Sequence, residues 1–141
     1  MNYQKASRIS KEVGETNDCA VKAVAIVCDK PYRMVQDKLS SLGRRSRQGT
    51  QTVAIEKAIK GYGFKITRVE GESPYRFGGT PTTLTNRLPS KGMYFAYTRS
   101  HIIAVKNGKI EDWTEGRRHR ILQVYKVERT ERKPRHNKAA A

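Results

Sequence analysis

The fold can be worked out from the stretch Thr16-Asn17-Asp18-Cys19-Ala20-Val21-Lys22-Ala23-Val24-Ala25-Ile26-Val27-Cys28. Between Ala20 and Val27 its only polar side chain is that of Lys22. A helix that is apolar nearly all round has to be buried, because a surface helix keeps a wide polar face. We therefore predict a buried helix that begins near Asp18, with Asn17 and Asp18 as N-cap residues.

This helix places Cys19 in its first turn. Unpaired N–H groups and the positive end of the helix dipole favour the thiolate there, whereas an ordinary thiol has a pKa of about 8.5. The position therefore predicts a reactive thiol. The alternative is that Cys19 only packs, since cysteine is among the most buried residue types. We predict that Cys28, at the far end of the helix, is a core residue.

The length and composition bound the class of protein. The chain has 141 residues, of which 36% are hydrophobic and 30% charged, and this fits one domain with a packed core. It has no apolar run of about 18 residues, so we expect no membrane span, and Met1–Lys5 lack the apolar core of a signal peptide. Cys19 and Cys28 are too far apart on one helix to form a disulfide with each other, which favours a reducing, cytoplasmic setting.

The net charge of +16 is an argument about partners. It favours nucleic acid, an anionic surface or an acidic protein or peptide substrate. Two basic segments, 44–50 and 117–120, are the candidate contact regions, although a run of charges is also typical of a solvated loop. The candidate polyanion-binding side chains are six arginines: Arg44, Arg45, Arg47, Arg117, Arg118 and Arg120.

The order of predicted elements is helices first and an antiparallel sheet afterwards, which is an α+β pattern. Residues 1–15 are predicted to be an N-terminal arm, 16–127 a single domain, and 128–141 a basic disordered tail. After the buried helix we predict a helix from Pro31 to Gly43, one capped by Thr52, and a short one within 82–88. The apolar side chains of the Thr52-capped helix are Val53, Ile55, Ala58 and Ile59. The predicted strands are 64–69, 93–97, 101–105, 109–113 and 121–127.

Asn107-Gly108 lies between two of these strands and is the strongest local signal in the chain. A type I′ hairpin turn needs positive φ at both central residues, which asparagine and glycine tolerate. With these as the two loop residues, Ala104 faces Glu111 and Ile103 faces Asp112. His101 and Asp112 then share one face of the ribbon as diagonal neighbours, and Glu111 points to the other face. A slip of one residue would separate the pair.

A carboxylate beside an imidazole fixes its tautomer and supports its protonated form. A thiol at a helix start, a histidine at a strand start and a carboxylate on the next strand make a set suited to nucleophilic catalysis. The set is Cys19, His101 and Asp112. The alternative for His101 is an isolated surface or core histidine. The alternative for Asp112 is a polar residue at a strand end.

Residues 17–23 and 101–112 together resemble the small papain-like cysteine peptidases. The likeness is to the compact bacteriocin-processing type and to related small proteins of bacteria and phages. It implies a papain-like α+β fold and thiol-dependent cleavage of a peptide, isopeptide or amide bond, without a cofactor. By position it implies that Cys19 is the nucleophile, His101 the general base and then acid, and Asp112 the orienting carboxylate. For a phage protein the setting would be the host cytoplasm.

The chain departs from this family at the oxyanion site. Such enzymes usually carry a glutamine a few residues before the cysteine, and residues 11–18 contain none. The side chain of Asn17 and the backbone N–H of Cys19 are the donors that the sequence offers instead. Losing one oxyanion donor typically costs about a hundredfold or more in rate.

The second hypothesis is a catalytically weak or inactive domain of the same fold that acts as a basic nucleic-acid-binding module. A third combines recruitment by charge with catalysis. We expect no metal site, because two cysteines and three scattered histidines lack zinc-ligand spacing. His119 and His136 are predicted to be surface residues.

Overall fold

The computed structural model describes residues 1–130 and shows an α+β protein. Within these residues the chain forms five α-helices and one five-stranded antiparallel sheet. The helices are α1 (Tyr3–Glu12), α2 (Cys19–Val27), α3 (Tyr32–Ser41), α4 (Thr52–Gly61) and α5 (Pro81–Arg87). The strands are β1 (Phe64–Val69), β2 (Met93–Tyr97), β3 (Ile102–Lys106), β4 (Lys109–Glu111) and β5 (Gln123–Arg129).

Helix α2 forms where the sequence predicts it and is the centre of the larger hydrophobic core. Asp18 is its N-cap residue, and every residue from Ala20 to Val27 except Lys22 is at most 3% exposed. The carboxylate of Asp18 takes a different partner from the predicted one, because it accepts a hydrogen bond of 2.6 Å from the hydroxyl of Tyr32. Cys28 is buried in the core, as predicted.

The first fifteen residues differ from the predicted arm, because most of them form α1. The side chain of Asn2 caps this helix by accepting from the backbone N–H of Lys5 at 2.9 Å. Its buried residues are Ala6 and Ser10, one turn apart. Ile9 and Val13, four residues apart on the same side, also pack against the core, so α1 is an amphipathic helix.

The sheet has the strand order β1-β5-β2-β3-β4 and is covered on both faces near its centre. One face packs against the helical layer through residues such as Phe95 and Ala104, which belong to the same core cluster as α2. The other face carries Tyr94, Ile103 and Val105, which pack with α5 and its flanking loops. Burial on both faces explains why β3 reads as a continuous apolar run instead of an alternating one.

The β3–β4 hairpin has the predicted register. Lys106 pairs with Lys109, Val105 with Ile110, and Ala104 with Glu111, on either side of the Asn107-Gly108 turn. Both turn residues have positive φ, 51° and 77°.

The last strand, by contrast, begins and ends two residues later than predicted. It extends to Arg129, opposite Phe64, so residues 128 and 129 belong to the sheet instead of the predicted tail. Residues 131–141 of that tail lie outside the described residues, and so does His136. Among the described helices, none combines the length and the apolar character needed to cross a bilayer.

Candidate functional site

The chemistry-bearing residues lie at the ends of three elements that meet at one edge of the core. Cys19 is the first residue of α2, His101 directly precedes β3, and Asp112 directly follows β4. Helix α2 packs against β3, which brings the helix start to the strand start. Positions at or next to the ends of regular elements allow each side chain to face a cleft while its backbone stays anchored.

His101 and Asp112 form the pair that the hairpin register predicts. Nε2 of His101 lies 2.7 Å from Oδ2 of Asp112, and both side chains are largely buried. The same carboxylate oxygen accepts from the backbone N–H of Thr114 at 3.1 Å and from its hydroxyl at 2.7 Å. Thr114 is fully buried. These two bonds hold the carboxylate in place, so that the ring of His101 is oriented with its other nitrogen, Nδ1, available to the thiol.

Cys19 is half-buried and interacts with His101. Burial by itself raises the pKa of the Cys19 thiol, and the negative charge of Asp112 acts in the same direction. Hydrogen bonds from the His101 ring and the backbone of Ile102, with the charge of His101, outweigh both, so the pKa lies below its ordinary value. For Cys28 burial outweighs the opposing charges of Lys30 and Arg129 and raises the pKa to about 12.

The pKa of His101 shifts in the complementary direction. Burial lowers it, but hydrogen bonds and charge interactions with Asp112 and Cys19 raise it to about 9. A thiol with a lowered pKa beside an imidazole with a raised pKa favours a thiolate–imidazolium pair. The two protons belong to the coupled pair, so its titration is shared between the residues.

Two adjoining cavities flank this pair, and Cys19, Gly49, Ser100 and His101 line both of them. The first, of about 440 Å³, has an apolar floor that includes Ile55 and a wall formed by the loop from Gly49 to Thr52. The second, of about 370 Å³, is more polar, and its remaining lining residues are Tyr3, Asn17, Asp18, Lys22, Asp112 and Trp113. A larger cavity of about 650 Å³ lies elsewhere, beside Met1 and Pro31. Cys19 therefore borders both cavities, which together form the cleft.

Trp113 covers the outer side of the His101 ring. The two ring centroids are 5.3 Å apart, and the indole is 49% exposed. The ring of His119 meets the indole edge-on at 5.2 Å, so His119 is partly buried instead of fully on the surface as predicted.

Asn17, the predicted oxyanion donor, lines the second cavity, but its side chain already has a partner. Nδ2 of Asn17 donates to the carbonyl oxygen of Arg47 at 3.2 Å, and its backbone has a φ of 49°. One amide hydrogen remains for a ligand. The backbone N–H of Cys19, in the first turn of α2, is the second donor near the thiol.

The structure removes Arg44 from the predicted polyanion-binding set. Its side chain is 2% exposed and makes an ion pair of 2.9 Å with Glu15, because the chain folds back onto the segment before α2. The other five arginines of the set are exposed. Nε of Arg47 donates to the carbonyl oxygen of Gly14, which ties one of the five to the protein.

Sequence reasoning missed Glu15, Trp113 and Thr114. For Thr114 a signal exists, because an aspartate followed two residues later by threonine is typical of a local turn in which the carboxylate accepts from the backbone. Within residues 1–130 the His, Cys, Asp and Glu side chains form no group of three that could hold a metal ion.

The chain was compared with protein-family models, curated proteins and solved structures, and none of them matches it. The α+β architecture and the site geometry are therefore the basis of the functional argument.

Proposed function

We propose that the chain is a papain-like cysteine hydrolase that cleaves a peptide, isopeptide or amide bond through Cys19, His101 and Asp112. One observation carries the proposal: a thiol at the start of a buried helix interacts with an imidazole whose other nitrogen lies 2.7 Å from a buried carboxylate. A nucleophile, a base and a group that orients the base are the side chains that covalent acyl transfer uses.

In the first half of the reaction Sγ of Cys19 attacks the carbonyl carbon of the substrate, and the carbonyl oxygen becomes an oxyanion. The backbone N–H of Cys19 and the remaining amide hydrogen of Asn17 donate to that oxygen. The protonated His101 gives its proton to the leaving nitrogen. The C–N bond then breaks, and the amine leaves a thioester on Cys19.

In the second half a water molecule enters the cleft and loses a proton to His101 as it attacks the thioester carbon. The C–S bond breaks, the acid product leaves, and the thiolate–imidazolium pair is restored. Asp112 holds the ring orientation throughout and stays ionised.

The experiment measures alkylation of Cys19 by iodoacetamide, followed by mass spectrometry, with glutathione as the reference thiol. At about pH 6 an ordinary thiol is almost wholly protonated, so we expect Cys19 to react at least about tenfold faster than glutathione. His101→Ala should remove the difference. Cys28→Ser is the matched control and should leave the rate unchanged. A wild-type rate equal to that of glutathione would overturn the proposal.

A second candidate function, nucleic-acid binding, is favoured by the surface beside Trp113. The half-exposed indole is followed closely by three exposed arginines, Arg117, Arg118 and Arg120. Exposed aromatic rings that stack on bases, together with cations that contact phosphates, are typical of single-strand binding surfaces. Because Trp113 also lines the cleft, this function is compatible with the first.

A further inference from the structure

Glu15 is the centre of a buried polar cluster that ties the basic loop 44–48 to the segment preceding Cys19. Its carboxylate accepts from Nη1 and Nη2 of Arg44 at 3.0 and 2.9 Å, and from the backbone N–H of Arg47 at 2.9 Å. It also accepts from Nε2 of Gln36 at 2.7 Å and from the hydroxyl of Ser46 at 3.4 Å. The side chain of Glu15 is 1% exposed. We call these five residues the Glu15 cluster.

The cluster fixes the course of the loop as well as its attachment. Nε of Arg44 donates to the carbonyl oxygen of Gln48 at 2.9 Å, so the guanidinium closes the loop from inside. A planar guanidinium has five donors in a rigid fork, which lysine cannot reproduce. Gly49, the next residue after Gln48, borders both cavities beside the thiol. The ion pair therefore controls the position of a cleft wall.

The Glu15 cluster is also connected, through Arg47, to Asn17 of the proposed oxyanion site. Glu15 lies two residues before Asn17, whose amide is bonded to the carbonyl oxygen of Arg47. The Arg47 backbone N–H in turn donates to Glu15. One carboxylate thus orients both the cleft wall and the segment that carries Asn17 and Cys19.

From this geometry we propose that Glu15 and Arg44 are positioning residues, which hold the substrate cleft open in the shape that admits a peptide next to Cys19. The inference rests on the proposed function. It assigns a role to two residues that lie outside the Cys19–His101–Asp112 set and touch none of its atoms. The thiolate itself should be independent of the cluster, because the pKa of Cys19 depends on burial, His101, Ile102 and Asp112, and none of the five cluster residues contributes to it.

The test compares two reagents that modify the same sulfur. Iodoacetamide needs only the thiolate. Benzyloxycarbonyl-alanyl chloromethyl ketone also needs the cleft and the oxyanion donors, since its carbonyl must be bound before Sγ displaces chloride. For each variant the rate of Cys19 modification by the chloromethyl ketone is divided by the rate with iodoacetamide. This ratio is then divided by the same ratio measured on glutathione. The variants are Glu15→Gln and Arg44→Lys, and their matched controls are the exposed pair Glu12→Gln and Arg33→Lys.

We expect the normalised ratio to exceed about ten in the wild type and in both controls, and to fall at least fivefold in Glu15→Gln and Arg44→Lys. The iodoacetamide rate should stay within twofold of wild type in all four variants. A ratio that is equal in wild type and in the two cluster variants overturns the inference, and so does a proportional loss with both reagents. Arg44→Lys keeps the buried positive charge, so this variant still tests the inference if Glu15→Gln does not fold. Failure of the proposed function would be recognised separately, because wild-type Cys19 would then react with iodoacetamide no faster than glutathione does.

Discussion

His101 and Asp112 are eleven residues apart in the chain, yet a hydrogen bond of 2.7 Å joins their side chains across the base of the β3–β4 hairpin. The contact is diagonal, between the residue that precedes one strand and the residue that follows the next. Thr114 fixes the carboxylate from behind with two hydrogen bonds to the same oxygen. The hairpin register, the turn and Thr114 together determine the direction of the imidazole.

The first prediction concerns the protonation of His101. Burial opposes its positive charge, and Asp112 and Cys19 raise its pKa to about 9. Asp112→Asn removes the largest favourable contribution, so the pKa of His101 should fall, by at least about one unit. Titration of the His101 ring by NMR measures this directly, and the alkaline limb of any hydrolytic activity should move to lower pH with it.

Glu111→Gln is the control for this substitution. Glu111 precedes Asp112, but its carboxylate points elsewhere and accepts from the backbone N–H of Tyr3 at 2.9 Å. The His101 titration should therefore match that of the wild type in this variant. An unchanged His101 titration in Asp112→Asn would show that the carboxylate does not support the imidazolium.

Two parts of the structure could be predicted from the sequence because each depends on local rules. The almost wholly apolar stretch from Ala20 to Val27 has one stable location, which is the core. Asn107-Gly108 allows one tight turn, and that turn fixes every pairing in β3 and β4. The approach of His101 to Asp112 follows from the pairing.

Other parts depend on contacts between distant segments and leave little trace in the sequence. Arg44 lies in a run of charges that looks solvated, and only the folded chain shows that Glu15, 29 residues earlier, neutralises it. Val53 is one of the apolar side chains of the helix predicted after Thr52, but it is 62% exposed. Val53 lies on the exposed side of α4 with Lys57 and Lys60, which follow it by four and seven residues.

The second prediction compares the same substitution at a buried and an exposed position. Val21 is fully buried in α2, and Val53 is mostly exposed in α4. Val21→Ala removes two buried methyl groups and leaves a cavity, which should lower the free energy of unfolding by roughly 2 kcal/mol. Val53→Ala should change it by less than about 0.5 kcal/mol. Urea unfolding measures both values, and similar losses at the two positions would contradict the assignment of α2 to the core.

The third prediction tests the hairpin turn. Gly108 has a φ of 77°, and a Cβ atom built there would lie 3.2 Å from Cα of Ser90. Gly108→Val should therefore cost about 1–3 kcal/mol of stability and disturb the register that aligns Asp112 with His101. Thermal unfolding and the rate of Cys19 alkylation at about pH 6 are the measurements.

Asn107→Asp is the control for the turn, because aspartate tolerates positive φ and keeps the side-chain oxygen that accepts from the backbone N–H of Gly92. Its stability and alkylation rate should stay near those of the wild type. Tolerance of valine at position 108 would mean that the turn does not require a glycine.

The fourth prediction is a pH dependence of stability. Hydrogen bonds from Arg44, Gln36 and the Arg47 backbone outweigh the effect of burial and lower the pKa of Glu15 from 4.5 to about 2. Because the folded state binds the proton more weakly, this carboxylate contributes stability that is complete above about pH 4.5 and is lost as the pH falls towards 2. The contribution is about 3 kcal/mol.

Glu15→Gln should lose this stability at neutral pH, and its deficit against the wild type should narrow as the pH is lowered through this range. Urea unfolding at a series of pH values is the measurement. Glu12→Gln, at an exposed position on α1, should follow the wild-type curve. A deficit that does not change with pH would mean that the ionised form of Glu15 is not what stabilises the fold.

The fifth prediction tests the basic surface beside Trp113. Replacing Arg117, Arg118 and Arg120 by glutamine removes three exposed charges from this surface. If it binds nucleic acid, retention on immobilised single-stranded DNA should weaken, and the slope of log affinity against log salt should become shallower by about two. A variant with glutamine at Arg8, Arg33 and Arg76 loses the same charge from other exposed positions and should keep most of the wild-type affinity. Equal losses in the two variants would show that only the net charge of +16 matters, which argues against a defined binding surface.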